Sequence, residues 1–352
     1  KLFSHLMHNS IIRTALVGLG NIGIRHLEII SANKEFKLVA ACDTDKKKLK
    51  RVDNSVRRYT DIQNLLSNES LDLVVIATPN GLHFSQGLLA LEHDSNVLIE
   101  KPICLETKEV KQLIQESKKR DKAVLTVLQN RYSPPAQWLN EILFKKVLGE
   151  IRFIQVNCFW NRDERYYFEG NNPHPWRGTA ELDGGVLFTQ FSHYVDLLYW
   201  LFGKIELLSA DRYKLKNDNL KLDDSGSFSF SVGSNARGQF NYSTAVHDKN
   251  LTSEITILGE KGTVKISGQY MEKVEVCDIE GYEMPELQPT AQPNQYNGFT
   301  GSAANHKKVY DNVAEVLLRE GTMVSTPAEA LECINIIEQA ISWQDENVLQ
   351  LK

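Results

Sequence analysis

Between residues 11 and 128 the chain repeats one pattern that few folds satisfy, in which short apolar runs are separated by stretches of helical length. The runs are Thr14-Ala-Leu-Val-Gly18, Lys37-Leu-Val-Ala-Ala-Cys42, Leu73-Val-Val-Ile-Ala-Thr78, Asn96-Val-Leu-Ile-Glu100 and Ala123-Val-Leu-Thr-Val-Leu128. They are rich in Val, Leu and Ile and lack polar alternation, as parallel strands buried on both faces do. Stretches such as Glu106 to Lys119 fill the gaps, and strand-helix alternation at this spacing predicts a doubly wound α/β sheet.

The chain has 352 residues, more than one core usually organises, and its pattern changes after about residue 150. Phe228, Phe230 and Val232 alternate with Ser227, Ser229 and Ser231, the signature of a strand with one buried face. Ile255 and Ile257, then Val264 and Ile266, flank Gly259-Glu-Lys-Gly262, which predicts a hairpin. Pro285 to Gly301, rich in Pro, Gln and Asn, is expected to be a long loop. Thr326-Pro327-Ala328-Glu329 is a capping box with Pro at the first helical position, and Ala330, Ile334, Ile337 and Ile341 then share one helix face. The second half therefore reads as an α+β domain with a mostly antiparallel sheet. The expected divisions are 1–10 as a tag remnant or flexible arm, 11–128 as a nucleotide-binding domain and 129–352 as a substrate-binding and oligomerisation domain.

Composition excludes several classes. Forty Lys and Arg against 45 Asp and Glu leave a net charge of −5, without the basic surplus of a nucleic-acid binder. No apolar run approaches the ~18 residues of a membrane span. The five cysteines are scattered without a C-x-x-C pair, which argues against a thiolate metal site or a disulfide framework and for a reducing, cytoplasmic setting.

Gly18-Leu-Gly20-Asn21-Ile22-Gly23 follows the first strand and opens a helix. The first glycine permits the tight turn, the second lets backbone approach a pyrophosphate, and the third allows close helix-strand packing. The helix N-terminus offers its N–H groups to the phosphates. Asp43 ends the next strand, placed to accept both ribose hydroxyls and repel a 2′-phosphate, which favours NAD over NADP. Lys46-Lys47-Lys48 nearby weakens that repulsion.

Ligands in such sheets sit beyond the carboxyl ends of the strands, where this chain places Thr78-Pro79-Asn80 with His83, and Glu100-Lys101-Pro102. Beside a cationic ring, a lysine at a buried strand tip is expected to have a depressed pKa and to exchange a proton with a substrate hydroxyl; the alternative is a solvated Lys101 paired with Glu100. Farther on, Leu187, Phe191, Tyr194, Leu198 and Leu201 make the buried stripe of a helix after Asp183-Gly184-Gly185. Thr189, His193, Asp196 and Trp200 lie nearly opposite. On that face His193 is either a surface histidine or a proton-transfer group aimed into a cleft. No clustered ligands accompany it, so no metal site is expected.

The combination of Gly18-x-Gly20-x-x-Gly23, Glu100-Lys101-Pro102 and Gly184-Gly185 followed by His193-x-x-Asp196 resembles the Gfo/Idh/MocA oxidoreductase family, from residue 11 to about 348. The resemblance implies an N-terminal NAD-binding Rossmann domain, a second domain with an open sheet, Lys101 and His193 as the catalytic pair, and a homodimer or homotetramer formed through the open sheet face. Within the family, Gln129-Asn-Arg131-Tyr132, Trp160-Asn-Arg162 with Tyr166-Tyr167, and Trp176-Arg177-Gly-Thr179 resemble the sugar-nucleotide branch. That likeness implies oxidation of a secondary hydroxyl, at C3, of a UDP-linked N-acetylated sugar uronate for polysaccharide or lipopolysaccharide synthesis. It departs from the branch at Thr189, where relatives have Asp or Asn, and at Ala180, where Trp is expected.

On this resemblance the cofactor contacts are expected at Gly18, Gly20, Asn21, Ile22, Gly23, Asp43, Thr78, Asn80, His83, Glu100, Lys101 and Gln129. Substrate contacts are expected at Lys101, Arg131, Arg162, Tyr166, Trp176, Arg177, Thr189 and His193. The residues from Trp160 to Arg177 support this independently, because arginine forks suit diphosphate and carboxylate while aromatic faces suit sugar and base rings. The same composition also suits an interface loop of an oligomer. Either Lys101 or His193 is the base. Three rivals remain: an inositol or free-sugar dehydrogenase of the same family, a non-catalytic NAD-binding regulator or assembly subunit, and an enzyme whose bound NADH is recycled by a 2-oxo acid.

Overall fold

The computed structural model describes residues 11–216, 221–296 and 298–348, so the arm expected at residues 1–10 lies outside the described residues. The chain folds as two compact units, the first holding the chain up to Leu128 together with His306–Leu331, the second holding Gln129–Asn305 and the chain from Glu332.

Among the described residues, the first unit is built on a six-stranded parallel sheet of β1 (Ile12–Val17), β2 (Phe36–Cys42), β3 (Arg57–Tyr59), β4 (Leu73–Ile76), β5 (Asn96–Ile99) and β6 (Val124–Thr126). Its order is β3-β2-β1-β4-β5-β6, and every residue of β4 and β5 is buried, as unbroken apolar runs demand. Helices α1 (Asn21–Ala32), α2 (Ile62–Asn68), α3 (His83–Glu92) and α4 (Thr107–Arg120) make the crossovers. The order reverses at β1, which has β2 on one side and β4 on the other. In doubly wound sheets the ligand crevice opens at that switch point, above the carboxyl ends of the two strands. Edge strand β3 escapes the sequence pattern because it reads Arg57-Arg58-Tyr59, with both arginines exposed.

The second unit contains α5 (Pro134–Phe144), β7 (Ile151–Phe159), α6 (Glu164–Tyr167), the short pair β8 (Phe168–Glu169) and β9 (Asn172–Pro173), and α7 (Ser192–Phe202). Strands β10 (Ile205–Tyr213), β11 (Ser225–Val232), β12 (Ala236–Ser243), β13 (Thr252–Gly259), β14 (Gly262–Ser267) and β15 (Lys273–Ile279) follow. With β7 they form a sheet of order β10-β11-β12-β7-β13-β14-β15, antiparallel except between β7 and β12. Its inner face stacks Phe228 directly on its cross-strand partner Phe240, ring centroids 4.8 Å apart. Trp160, just past β7, packs edge-on against Phe191 and Tyr194, which seats the α7 segment on that face.

One expectation needs correction: residues 285–301 are not all loop, because β16 (Pro293–Tyr296) pairs with β17 (Phe299–Ala303), a short hairpin that the Pro, Gln and Asn content hides. On the face of α7 opposite the apolar stripe, His193 and Asp196 are buried, so His193 is not a surface histidine. A π-helical turn, Leu187–Phe191, leads into the helix.

Finally, α8 (His306–Arg319), which the boundary at residue 128 assigns to the second domain, belongs to the first unit. Its buried stripe includes Val309, Tyr310, Val313 and Leu317. Tyr310 Oη lies 2.8 Å from His26 Nδ1 of α1, and Arg319 pairs with Glu35. Helix α9 (Pro327–Val348) starts with the expected capping box: Glu329 N–H donates to Thr326 Oγ1 and Thr326 N–H to Glu329 Oε2. No helix among the described residues is long and apolar enough to cross a membrane.

Candidate active site

The turn after β1 has no room for a side chain at Gly18 or Gly23. A Cβ on Gly18 (φ +92°) would stand 2.4 Å from the Ala77 carbonyl oxygen, and one on Gly23 would stand 2.0 Å from the Gly18 oxygen. Gly20 has open space around its Cα and caps α1 without a side-chain hydrogen bond, so the first-turn N–H groups are left to a ligand. Asp43 follows β2. Its Oδ2 accepts the Leu19 N–H (2.8 Å) and its Oδ1 the Asp45 N–H (2.9 Å), with Lys48 Nζ 3.7 Å away. Each oxygen keeps acceptor capacity beyond its backbone bond. A tight cradle, an uncapped helix start and an oriented carboxylate are the features a dinucleotide needs, so these residues fit NAD.

The two strand tips are held differently from what their sequence suggests. His83 is fully buried, with Nδ1 2.7 Å from the Pro102 carbonyl and Nε2 2.9 Å from the Thr78 carbonyl, so its ring ties the tips together. Thr78 Oγ1 donates to Gln86 Oε1 (2.7 Å), and Asn80 is buried at the start of a short 3-10 turn. Glu100 turns inward. Its Oε1 lies 2.9 Å from His26 Nε2 and 3.5 Å from His306 Nε2, and its Oε2 accepts the Lys101 N–H at 3.0 Å. Burial alone would raise the Glu100 pKa, but hydrogen bonding to His26 and His306 outweighs it and holds the carboxyl well below its ordinary value. The Glu100 carboxylate also grips the Lys101 backbone, which fixes the strand tip that carries the lysine.

In the second unit, His193 Nε2 lies 3.2 Å from Ser302 Oγ, which accepts from Gln129 Nε2 at 3.0 Å. Ser302 thus links the His193 ring to Gln129, with either Ser302 or His193 the donor of their bond. Arg131 does not face a ligand. It is fully buried, and its Nη2 and Nε grip the two oxygens of Asp196 at 2.7 and 2.9 Å. Arg162 is buried as well, bonded to Asn161 O, Asn250 Oδ1 and Thr300 O. A cation-aromatic stack joins the rest. Tyr166 carries the Arg177 guanidinium 4.4 Å from its ring centroid and the Arg162 guanidinium at 5.3 Å, with Trp176 5.6 Å from Arg177. Arg177 Nη1 donates to Tyr166 O, while its buried Nε has no hydrogen-bond partner. Thr189 Oγ1 is engaged by Asp183. Ser302 carries no local motif that marks it in the sequence, and Asp183, though it opens Asp183-Gly184-Gly185, is not among the expected site residues.

Similar proteins point to the family. Residues 12–128 match the model described as "Oxidoreductase family, NAD-binding Rossmann fold", and residues 136–265 match the "GFO/IDH/MocA C-terminal domain". The WlbA dehydrogenase from Chromobacterium violaceum, solved with NADH and UDP-GlcNAcA, is 31% identical with a TM-score of 0.84, the match covering 97% of this chain and 96% of that one. The Bordetella pertussis WlbA dehydrogenase, solved with the same two molecules, is 27% identical with a TM-score of 0.84 over 96% of this chain and 97% of that one. The NADP-dependent scyllo-inositol 2-dehydrogenase IolU of Bacillus subtilis is 26% identical over 79% of this chain and 84% of its own length. The glycine cradle, the anchored strand tips and these matches converge: the chain belongs to the Gfo/Idh/MocA family of NAD-dependent oxidoreductases.

Proposed function

We propose that this oxidoreductase acts on a nucleotide-linked sugar, oxidising a secondary hydroxyl, C3 of a UDP-linked N-acetylated uronate, in the synthesis of a surface polysaccharide. The observation that carries the reading is Arg177, half-buried beside Trp176 with its guanidinium stacked on Tyr166 next to Arg162, a cationic and aromatic cluster suited to diphosphate or carboxylate oxygens and a ring. A nucleotide sugar brings diphosphate or carboxylate oxygens, whereas an inositol brings none. The two WlbA structures with UDP-GlcNAcA support the same class.

In this reading Lys101 and His193 act on one hydroxyl. NAD, when bound, accepts the hydride. Lys101 takes the hydroxyl proton, and His193 polarises the oxygen by a hydrogen bond. Gly18 to Gly23, Asp43, Thr78 and Asn80 hold the cofactor, with His83 and Glu100 bracing the strand tips. Trp176, Tyr166 and Arg177 meet the substrate. Phe153 and its cross-strand partner Leu258 are exposed on the outer sheet face, which favours self-assembly there, measurable by light scattering.

The test is NADH absorbance with UDP-GlcNAcA, scyllo-inositol and free hexoses, each with and without 2-oxoglutarate. UDP-GlcNAcA alone is expected to give NADH, and Arg177→Met should raise its KM by about tenfold or more. NADH formed from scyllo-inositol with the UDP-sugar inert would refute the substrate class. Bound NADH with no turnover on any substrate would make the chain a non-catalytic binder.

A further inference from the structure

His26 occupies a core position of α1 where an apolar residue would pack as well. The buried face of that helix is Gly23, His26 and Ile30, and His26 is fully buried. Burying an imidazole costs free energy unless its nitrogens are hydrogen-bonded, and here both are engaged. Nδ1 lies 2.8 Å from Tyr310 Oη of α8, and Nε2 lies 2.9 Å from Glu100 Oε1. Tyr310 is itself fully buried, with Phe36 edge-on to its ring at 5.2 Å, so the phenol that orients the imidazole is fixed. An ionised Glu100 only accepts, so His26 donates to it from Nε2.

Glu100 passes that constraint to the lysine. Its own N–H donates to Ile76 O of β4 at 3.0 Å; the next N–H, of Lys101, has left the sheet and donates to Glu100 Oε2 at 3.0 Å. The two carboxylate oxygens are thereby divided between the helix and the strand tip. His306, at the start of α8, brings Nε2 to 3.5 Å from Oε1 and stands edge-on to His26, which adds a second imidazole to the same oxygen. All of these groups belong to the first unit. His26 is the sixth residue of α1, the helix that opens from the Gly18–Gly23 turn. By the helical rise it lies about 7–8 Å along the axis from the first-turn N–H groups that suit a pyrophosphate. A ligand seated on those groups and the backbone of Lys101 are joined through one rigid helix and two charge-assisted hydrogen bonds.

We propose that His26 is a positioning residue that couples the dinucleotide site to the strand tip: the dinucleotide fixes α1, His26 on α1 fixes Glu100, and Glu100 fixes the backbone of Lys101. The coupling stands on the first unit alone. Its effect on turnover rests on Lys101 as the base, the reading under Proposed function.

Two variants and two readouts separate coupling from packing. His26→Leu fills the same space without a donor, and His26→Gln keeps a donor for Glu100. The probe for coupling is ADP-ribose, which carries the pyrophosphate but no nicotinamide ring to touch Lys101. At saturation it should slow hydrogen exchange in the peptide that contains Lys101 by about tenfold in the wild-type chain and by less than about twofold in His26→Leu. A merely structural histidine would change exchange by the same factor with and without the probe, so equal slowing in the two proteins would overturn the proposal. If His26→Leu does not fold, Tyr310→Phe, which releases Nδ1 and keeps the ring, should cut the slowing by about threefold, and full slowing counts against the coupling. With UDP-GlcNAcA as substrate, kcat of His26→Leu should fall by about tenfold or more, with KM and NADH affinity within about twofold of wild type. His26→Gln should recover kcat to within about threefold. An unchanged kcat in His26→Leu, or a loss carried by KM alone, contradicts the positioning role. Should the wild-type chain not use UDP-GlcNAcA, or Lys101→Ala turn over as wild type does, the catalytic reading fails and the exchange comparison alone decides the coupling.

Discussion

Removing Asp196 should unfold the second unit far more readily than removing most carboxylates would. Arg131 is fully buried, and Asp196, 1% exposed, receives two charge-assisted hydrogen bonds from it at 2.7 and 2.9 Å, while Trp200 covers the guanidinium at 5.6 Å. Asp196→Ala leaves a buried cation without its anion, and losing one partner of such a pair costs about 3–5 kcal/mol. For a folded unit of this size each kcal/mol moves the melting temperature by about 2–4 °C, so a drop on the order of 6–20 °C is expected by calorimetry or circular dichroism. The double variant Arg131→Met with Asp196→Leu removes both charges and should recover most of that loss, since a buried ion pair is often no more stabilising than apolar residues of similar volume. A melting temperature for Asp196→Ala within about 2 °C of the wild-type chain would refute the reasoning. It would also revive the substrate-binding role expected of Arg131, which its burial now contradicts.

Other outcomes follow from the same geometry. Gly23→Ala drives a Cβ to 2.0 Å from the Gly18 oxygen, so the turn must open, and NADH affinity by fluorescence titration should fall by about tenfold or more. If Asp43 meets the adenosine ribose as proposed, Asp43→Asn removes that charge and should narrow the preference for NAD over NADP by about tenfold, read as the ratio of the two dissociation constants. Glu100, held ionised, contributes stability that is present above its unfolded pKa of about 4.3 and is lost as pH falls through its lower folded value. Glu100→Gln should therefore cost about 2 kcal/mol at pH 7 in urea unfolding and abolish that acid-side loss below about pH 4.

What the sequence makes legible follows the range of the forces involved. The parallel strands announce themselves because burial on both faces forbids polar alternation, and the glycine turn because sterics exclude a side chain at Gly18 and Gly23. Strand β3 and the β16–β17 hairpin stay hidden, since exposed edges tolerate Arg, Pro and Asn. Charged side chains mislead most. Arg131 and Arg162 look like ligand-facing cations, and both are buried against protein partners. Their local sequence does not reveal this, because the partner that decides each fate lies far along the chain. Asp196 is 65 residues from Arg131, Ser302 is 109 residues from His193, and Tyr310 is 284 residues from His26. The placement of α8 in the first unit has the same origin, as a helix stripe records that it must be covered and not by what.

The measurement that bears most directly on the proposed chemistry is NADH formation from UDP-GlcNAcA by Lys101→Ala, taken with its NADH affinity. With Lys101 as the base, the rate should fall by about 100-fold or more, because a positioned general base contributes about 10²–10⁴, while the cofactor still binds. Wild-type turnover in that variant would contradict the assignment of the proton to Lys101.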